Sequence, residues 1–375
     1  MTTTKVARRS VAEDLSYILA SPEVTRLIDE LHATRWTGRP GYPIRSLIGM
    51  ALAKSLYGLP TWTRTVRLVR EHPALQAALG CEDGTPSEWA CYRFTAKLRK
   101  HAPILDRCIA DVIHALKKAN PLLGWDVAID ASDMPAYANG KRHTWSGRQR
   151  DASEYSDPDA SWGHRSAIST RGSGTFYGYK LHMAVCSKTD LPLAWRVETG
   201  KANESMVVAP LLDKLHTLGI DPETCAMDKG YDHRRVYNEC DERNVLPIIP
   251  LRNSRDVKIG GHFAPFCKHG NWRFAGADRK RGATKWRCPT GECTPASTWV
   301  ENSRLKPLIP RQTDRWSDLY QRRGSVERAF GRLKHEWGLA LRVRRIERVR
   351  LHANLTILSQ LVSALNRTQT QVAAA

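Results

Sequence analysis

The chain has 375 residues, 41% of them hydrophobic and 26% charged, which excludes a disordered chain and gives room for two or three globular domains. It carries 58 Lys and Arg against 38 Asp and Glu, a formal charge of +20, and that excess points to a polyanionic partner, most simply nucleic acid. No apolar run reaches the roughly 18 residues of a membrane span, and the first twenty residues do not pattern as a secretion signal, so the nine cysteines are expected as reduced thiols or metal ligands in the cytoplasm.

Residues 10 to 118 predict helices, forming a domain taken as 1–120. Leu15, Ile18 and Leu19, then Val24, Leu27, Ile28 and Leu31, recur at helical spacing. A turn cluster runs from Gly38 to Pro43. The stretch after it predicts two amphipathic helices broken near Gly58-Leu59-Pro60. TPSEWACYRFTAKLRKH then predicts a basic helix, capped by Thr85 or Ser87 and carrying Arg93 and Phe94. Helix, short turn and basic helix fit a helix-turn-helix DNA reader; they fit a bundle used for dimerisation equally well.

The pattern changes near residue 125. WDVAIDASDMPAYA predicts a short apolar strand ending in Asp130, and Asn139 to Arg171 predicts irregular, charged chain with Trp145 and Trp162 as candidate base-stacking rings. YGYKLHMAVCSKTDLPLAWRVETG predicts two strands around Lys188-Thr189-Asp190. A helix ending at Gly219, a short strand ending in Asp228, a second helix and the strand VLPIIP follow. Strand, hairpin, helix, strand, helix, strand is the order of an α/β core of RNase H-like type, taken as 121–251 and resuming over 313–375.

An insertion, 252–312, interrupts that core. Cys267, His269, Cys288 and Cys293 within it are a candidate tetrahedral zinc set, although four residues between Cys288 and Cys293 is loose spacing. The core is expected to resume with one helix from about Trp316 to Trp337. A last helix, Leu351 to Leu365, places Leu351, Leu355, Leu358, Val362 and Leu365 on one packing stripe, and the tail after Asn366 is expected to fray.

Tyr320, Arg323, Glu327 and Lys334 recur at close to helical spacing. One carboxylate among cations and a phenol suits a divalent metal held beside a phosphate backbone. From Glu301 to Arg350 there are 14 basic and 6 acidic residues, so this region concentrates the positive charge. Two-metal phosphoryl transfer needs two or three converging carboxylates. Asp130, Asp228 and Glu327 are the candidates. Asp133 rivals Asp130, and Asp232 is read as a cap on the helix after it. Lys180 and Lys229 are candidate phosphate contacts.

DKGYD at Asp228 to Asp232 and the Tyr320–Lys334 pattern together resemble the DDE transposases of bacterial insertion sequences, in the group with the Tyr-Arg-Glu-Lys motif. The turn near Gly38–Pro43 and the Arg93-Phe94 pair are similar to the N-terminal domain of many such enzymes. The resemblance covers about residues 25 to 365. It implies a catalytic triad of Asp130, Asp228 and Glu327 binding Mg²⁺ or Mn²⁺, with Tyr320, Arg323 and Lys334 on the terminal DNA strand. It also implies at least a dimer acting on double-stranded terminal repeats and target DNA. An RNase H-like nuclease that never joins DNA, and an inactive transposase-derived DNA-binding protein, remain open alternatives.

Overall fold

The computed structural model describes residues 10–34, 41–138, 140, 155–165, 172–252 and 264–373. Trp145, most of the Asn139–Arg171 stretch and the first half of the Gly38–Pro43 turn lie outside them. No helix among the described residues is long and apolar enough to cross a membrane.

Seven helices open the chain. They are α1 (Val11–Ala20), α2 (Pro22–Ala33), α3 (Ile44–Leu56), α4 (Trp62–Glu71), α5 (Pro73–Leu79), α6 (Glu88–Lys100) and α7 (Ala102–Ala119). Their starts follow capping chemistry: Ser10 and Glu13 form a reciprocal capping box, Pro22 and Pro73 sit in first turns, and the Ser87 hydroxyl accepts the Ala90 N–H. Of the two cap candidates for the basic helix, Ser87 is therefore the one used. The stretch after Pro43 holds three helices rather than two. The third arises where Pro73 starts a new turn after His72, and it ends at Gly80 in the left-handed conformation, φ 62°. Helix α3 is buried along most of its length and forms the centre of this bundle.

The central sheet is built on β1 (Asp126–Pro135). β3 (Gly174–Cys186) pairs antiparallel with one edge of β1. The outer edge of β3 carries β2 (Ser161–Arg165) along its first half and β4 (Pro192–Thr199) along its second. On the other side, β5 (Thr224–Ala226) runs parallel to β1, and β6 (Leu246–Ile248) runs parallel to β5. Helices α8 (Val208–Thr217) and α9 (Arg234–Glu242) make the crossovers. Val127, Ala128 and Ile129 are fully buried, as a central strand covered on both faces requires. The strand does not end at Asp130. It pairs with β3 as far as Pro135, because Met134 is buried again and the backbone ladder does not depend on the polar side chains between.

The insertion carries a two-stranded hairpin, β7 (Phe266–Cys267) and β8 (Gly270–Asn271), and a three-stranded antiparallel sheet, β9 (Arg273–Asp278), β10 (Ala283–Arg287) and β11 (Ser297–Glu301). Its return is held by Arg304, which donates two hydrogen bonds to Asp232 at 2.8 and 2.7 Å. Asp232 also accepts from the Tyr237 hydroxyl and the Arg252 backbone N–H. It therefore does not cap α9, whose N-cap is His233; burial alone would raise its carboxyl, but these donors hold it below the usual carboxylate range.

The expected single helix from Trp316 to Trp337 is two: α10 (Asp314–Gln321) and α11 (Gly324–His335), separated by a turn at Arg322 and Arg323. The last helix, α12 (Ile346–Ala373), is longer than expected and continues past Asn366. Its predicted stripe of Leu351, Leu355, Leu358, Val362 and Leu365 is buried. It packs on α3, α7 and β4, and the Trp195 indole N–H donates to Asn354 Oδ1 at 2.8 Å. One apolar cluster thus runs from the N-terminal bundle through α12 into the sheet.

Candidate active site

Asp130 lies mid-strand on β1. Register brings Ala128 level with Ala226, the last residue of the parallel neighbour β5, and Asp228 follows two residues later, near enough for its charge to act on Asp130. Asp228 follows β5 in extended conformation and opens a single 3-10 turn, Lys229–Tyr231, by accepting the Gly230 N–H at 2.7 Å. That contact needs glycine: a Cβ at position 230 would fall 2.7 Å from Asp228 Oδ1.

Asp130 is under electrostatic stress. Burial, and then the negative charge of Asp228 and Glu204, push Asp130 up to about 7, against the Ala131 N–H and Arg323 that favour its ionised form. Tyr231, from the same DKGYD turn, is 1% exposed and its hydroxyl is buried without a partner among the described residues. Burial and the charges of Asp130, Glu204 and Asp228 hold this phenol far above its usual range. Asp130 and Asp228, with Glu204 and the Tyr231 hydroxyl nearby, offer hard oxygen donors, and that chemistry fits a divalent cation of the Mg²⁺ or Mn²⁺ type.

The turn and helix over β1 carry Glu327 and the cations. Arg322 donates to Asp126 at 2.6 Å, Arg323 to Asp130 at 3.3 Å, and Lys334 lies 3.6 Å from Asp133. Asp126 is the first residue of β1 and is committed to Arg322 and to the Thr224 hydroxyl. Asp133, the rival metal ligand, is committed to Lys334 and to Arg165 at 3.7 Å. Arg323 also donates to Glu327 at 2.5 Å. Its guanidinium therefore stands between the first and third acids, and the three carboxylates do not gather within 4.8 Å of one another. Glu327 is 59% exposed and faces solvent. Tyr320 stacks on Trp316 with centroids 5.0 Å apart, and Arg323 lies 5.9 Å from its ring. Helix α11 is fixed from its other side by Arg328 and Arg332, which both grip Asp190 in the β3–β4 turn.

Lys180, opposite Asp133 in the β1–β3 ladder, is paired with Glu204 at 2.6 Å and only 13% exposed. Lys229 and Arg93 are exposed. Trp162 lies on β2 with its ring 5.7 Å from Tyr177, inside the protein's own aromatic contacts. Glu204 is the acid that sequence reading missed. Its local signal is the Asn203 cap that sets the turn Glu204–Met206, but nothing in the sequence pairs it with Lys180.

In the insertion, the thiols of Cys267, Cys288 and Cys293 lie within 4.8 Å of one another. Cys267 Sγ and Cys288 Sγ are 3.8 Å apart. His269, the fourth residue expected there, is outside this cluster: its Nδ1 faces Glu292 at 3.6 Å and its Nε2 is buried without a partner among the described residues. The Thr290 hydroxyl, with nearby backbone amides, pulls the Cys288 thiol down to about 5.

A family model described as a transposase DDE domain matches residues 122–362, and one described as a transposase domain (DUF772) matches residues 3–97. The chain belongs to the DDE transposase family. No curated protein matches this transposase. Among solved structures it is similar to a piggyBac transposase in a synaptic complex with hairpin DNA. The two share 12% identity with a TM-score of 0.43, over 99% of this transposase and 78% of that chain.

Proposed function

We propose that this transposase cuts the ends of an insertion-sequence-type element and joins them to target DNA, using Asp130, Asp228 and Glu327 as its reactive centre. The observation that carries the reading is the Asp130–Asp228 pair. Two carboxylates, one on β1 and one just past the end of its parallel neighbour β5, the first pushed to about 7 by burial and then by the other's charge, are costly unless a cation is shared between them. The sheet supports an RNase H-like core: β1 is central, β3 and β4 extend it antiparallel, and β5 and β6 extend it parallel.

Asp130, Asp228 and Glu327 would hold Mg²⁺ or Mn²⁺, which supplies charge stabilisation of the attacking and leaving oxygens. Recruiting Glu327 requires Arg323 to release one of its two carboxylates. The freed guanidinium donors, with Lys334 and the Tyr320 ring, then face the terminal strand and take its phosphate oxygens. In the first step water attacks the phosphodiester at the element's end, and the 3′ oxygen leaves as a free hydroxyl. In the second, that hydroxyl attacks a target phosphodiester and displaces its 3′ oxygen. Lys229 beside Asp228 and Arg93 on α6 are the proposed further phosphate contacts, whereas Lys180 would reach DNA only by giving up Glu204. Bringing two ends together requires at least two copies of the chain. The test is nicking of a duplex carrying the terminal repeat found beside this gene. Mg²⁺-dependent release of a 3′ hydroxyl at the repeat boundary is expected; release without added metal, or none with it, would overturn the assignment.

We infer further that the insertion holds a structural zinc. A 3.8 Å sulfur–sulfur distance is too long for a disulfide and matches the ~3.8 Å edge of a tetrahedron with ~2.3 Å metal–sulfur bonds. His269, with its unpartnered Nε2, is the candidate for the fourth position. Metal analysis of the full-length protein purified without chelator should give about one zinc per chain, lost in Cys288→Ser and kept in Asp228→Asn. A wild-type content near zero removes the zinc.

A further inference from the structure

Away from the acids, a cavity of about 640 Å³ opens where α3, α6, the start of α12 and the segment before α12 meet. Its lining is one-sided in charge. Lys54, Arg99, Arg342, Arg344 and Arg348 line it, and among the described residues no carboxylate does. Glu347, next to Arg348, is engaged with Arg350 at 2.8 Å. These cations press on one another: burial and then the Arg342 charge bring Lys54 down to about 8, and burial and then Arg348 lower Arg99 against the opposing charge of Glu347. Such a site favours an anion.

Aromatic rings alternate with the cations. Trp89 and Tyr92, on the same face of α6, are 74% and 52% exposed. Tyr137 is 49% exposed, with the Arg342 and Arg344 guanidinium groups 5.6 and 5.5 Å from its ring. Lys54 lies 5.9 Å from the Trp62 ring. Large aromatics left open beside guanidinium groups are the elements of a base-stacking, phosphate-gripping pocket.

The cavity is also tied to the reactive centre. Tyr137 follows β1, the strand of Asp130, and Arg342–Arg344 follow α11, the helix of Glu327 and Lys334. Arg344 donates to the Tyr137 carbonyl at 2.7 Å. At ~3.3 Å per residue, the path from Asp130 to Tyr137 is at most about 23 Å, or roughly seven base steps of duplex at 3.4 Å each.

We propose that this cavity takes an unpaired nucleotide of the bound DNA, its base stacked on Trp89 or Tyr137 and its phosphates on Arg342, Arg344 and Lys54, within roughly seven steps of the scissile bond. The proposal rests on the transposase reading for its biological setting, but its test does not use catalysis. In the Asp228→Asn background, in buffer containing EDTA, tryptophan fluorescence would be titrated with a ten-nucleotide oligothymidylate and with a blunt duplex of equal length. Quenching by the single strand is expected, with affinity falling about tenfold or more in Trp89→Ala and in Arg342→Ala, both surface positions whose replacement leaves the core intact. Equal affinity in both variants overturns the pocket. Equal competition by the duplex overturns the unpaired-base assignment. Failure of DNA joining by the wild-type protein, with these binding effects intact, would instead count against the reading of Asp130, Asp228 and Glu327.

Discussion

Glu327→Gln is expected to lower end cleavage by about a thousandfold or more while terminal-repeat binding stays within a few-fold. The side chain is 59% exposed, and its one hydrogen bond of note is with Arg323. An amide of the same shape keeps an oxygen for that bond, so the fold has little reason to change. What is lost is the third negative charge toward a divalent cation. Metal-derived charge stabilisation contributes several kcal/mol to phosphoryl-transfer barriers, and ~4 kcal/mol corresponds to about three orders of magnitude in rate. Single-turnover cleavage of a labelled duplex, with a binding isotherm on the same duplex, separates the two effects. Full cleavage by the variant would place the third acid elsewhere.

Asp130→Asn is expected to be inactive yet more stable than the wild-type protein when metal is absent. The sign follows from the raised carboxyl. In the folded chain Asp130 ionises near pH 7, against an ordinary carboxylate near 3.9. Below about pH 4 both states hold the proton and the residue is neutral in its effect. Between pH 4 and 7 only the folded state holds it, so this contribution to stability falls as pH rises, and it is fully lost above 7. The amide has no such slope. Urea unfolding in EDTA should therefore give equal stability for the two proteins near pH 4 and an advantage for Asp130→Asn at pH 8. That advantage is on the order of 2 kcal/mol, reduced from ~1.4 kcal/mol per pH unit by the partial hydration of the site. Adding Mg²⁺ should raise the stability of the wild type alone, because a ligand that binds the folded state stabilises it. Parallel pH profiles for the two proteins would show that Asp130 is not under this charge stress.

The elements that place this site were largely legible. Val127–Ile129 form a continuous apolar run because the central strand is covered on both faces, and Asp228 sits where a short strand meets a glycine turn. What escaped was set by partners distant in sequence. Glu204 and Lys180, Asp126 and Arg322, and Asp232 and Arg304 are pairs no local pattern announces. Asp232 beside a helix start looks like a cap until Arg304 arrives from across the insertion. The break between α10 and α11 left one weak trace, Gly324, a poor helix former that costs about 1 kcal/mol. The stronger cause is tertiary: Arg322 and Arg323 turn toward Asp126 and Asp130. Helix α12 outran its predicted end: its stripe through Leu365 packs on the core, and the helical backbone continues beyond that stripe to Ala373.

The most direct test of the central claim is strand joining. Wild-type protein and Asp228→Asn would be incubated with a pre-cut terminal-repeat duplex and a supercoiled target, with and without Mg²⁺. Joined product from the wild type alone, and only with metal, is the predicted result. Nicking of the target without joining, or joining by Asp228→Asn at the wild-type rate, would contradict it.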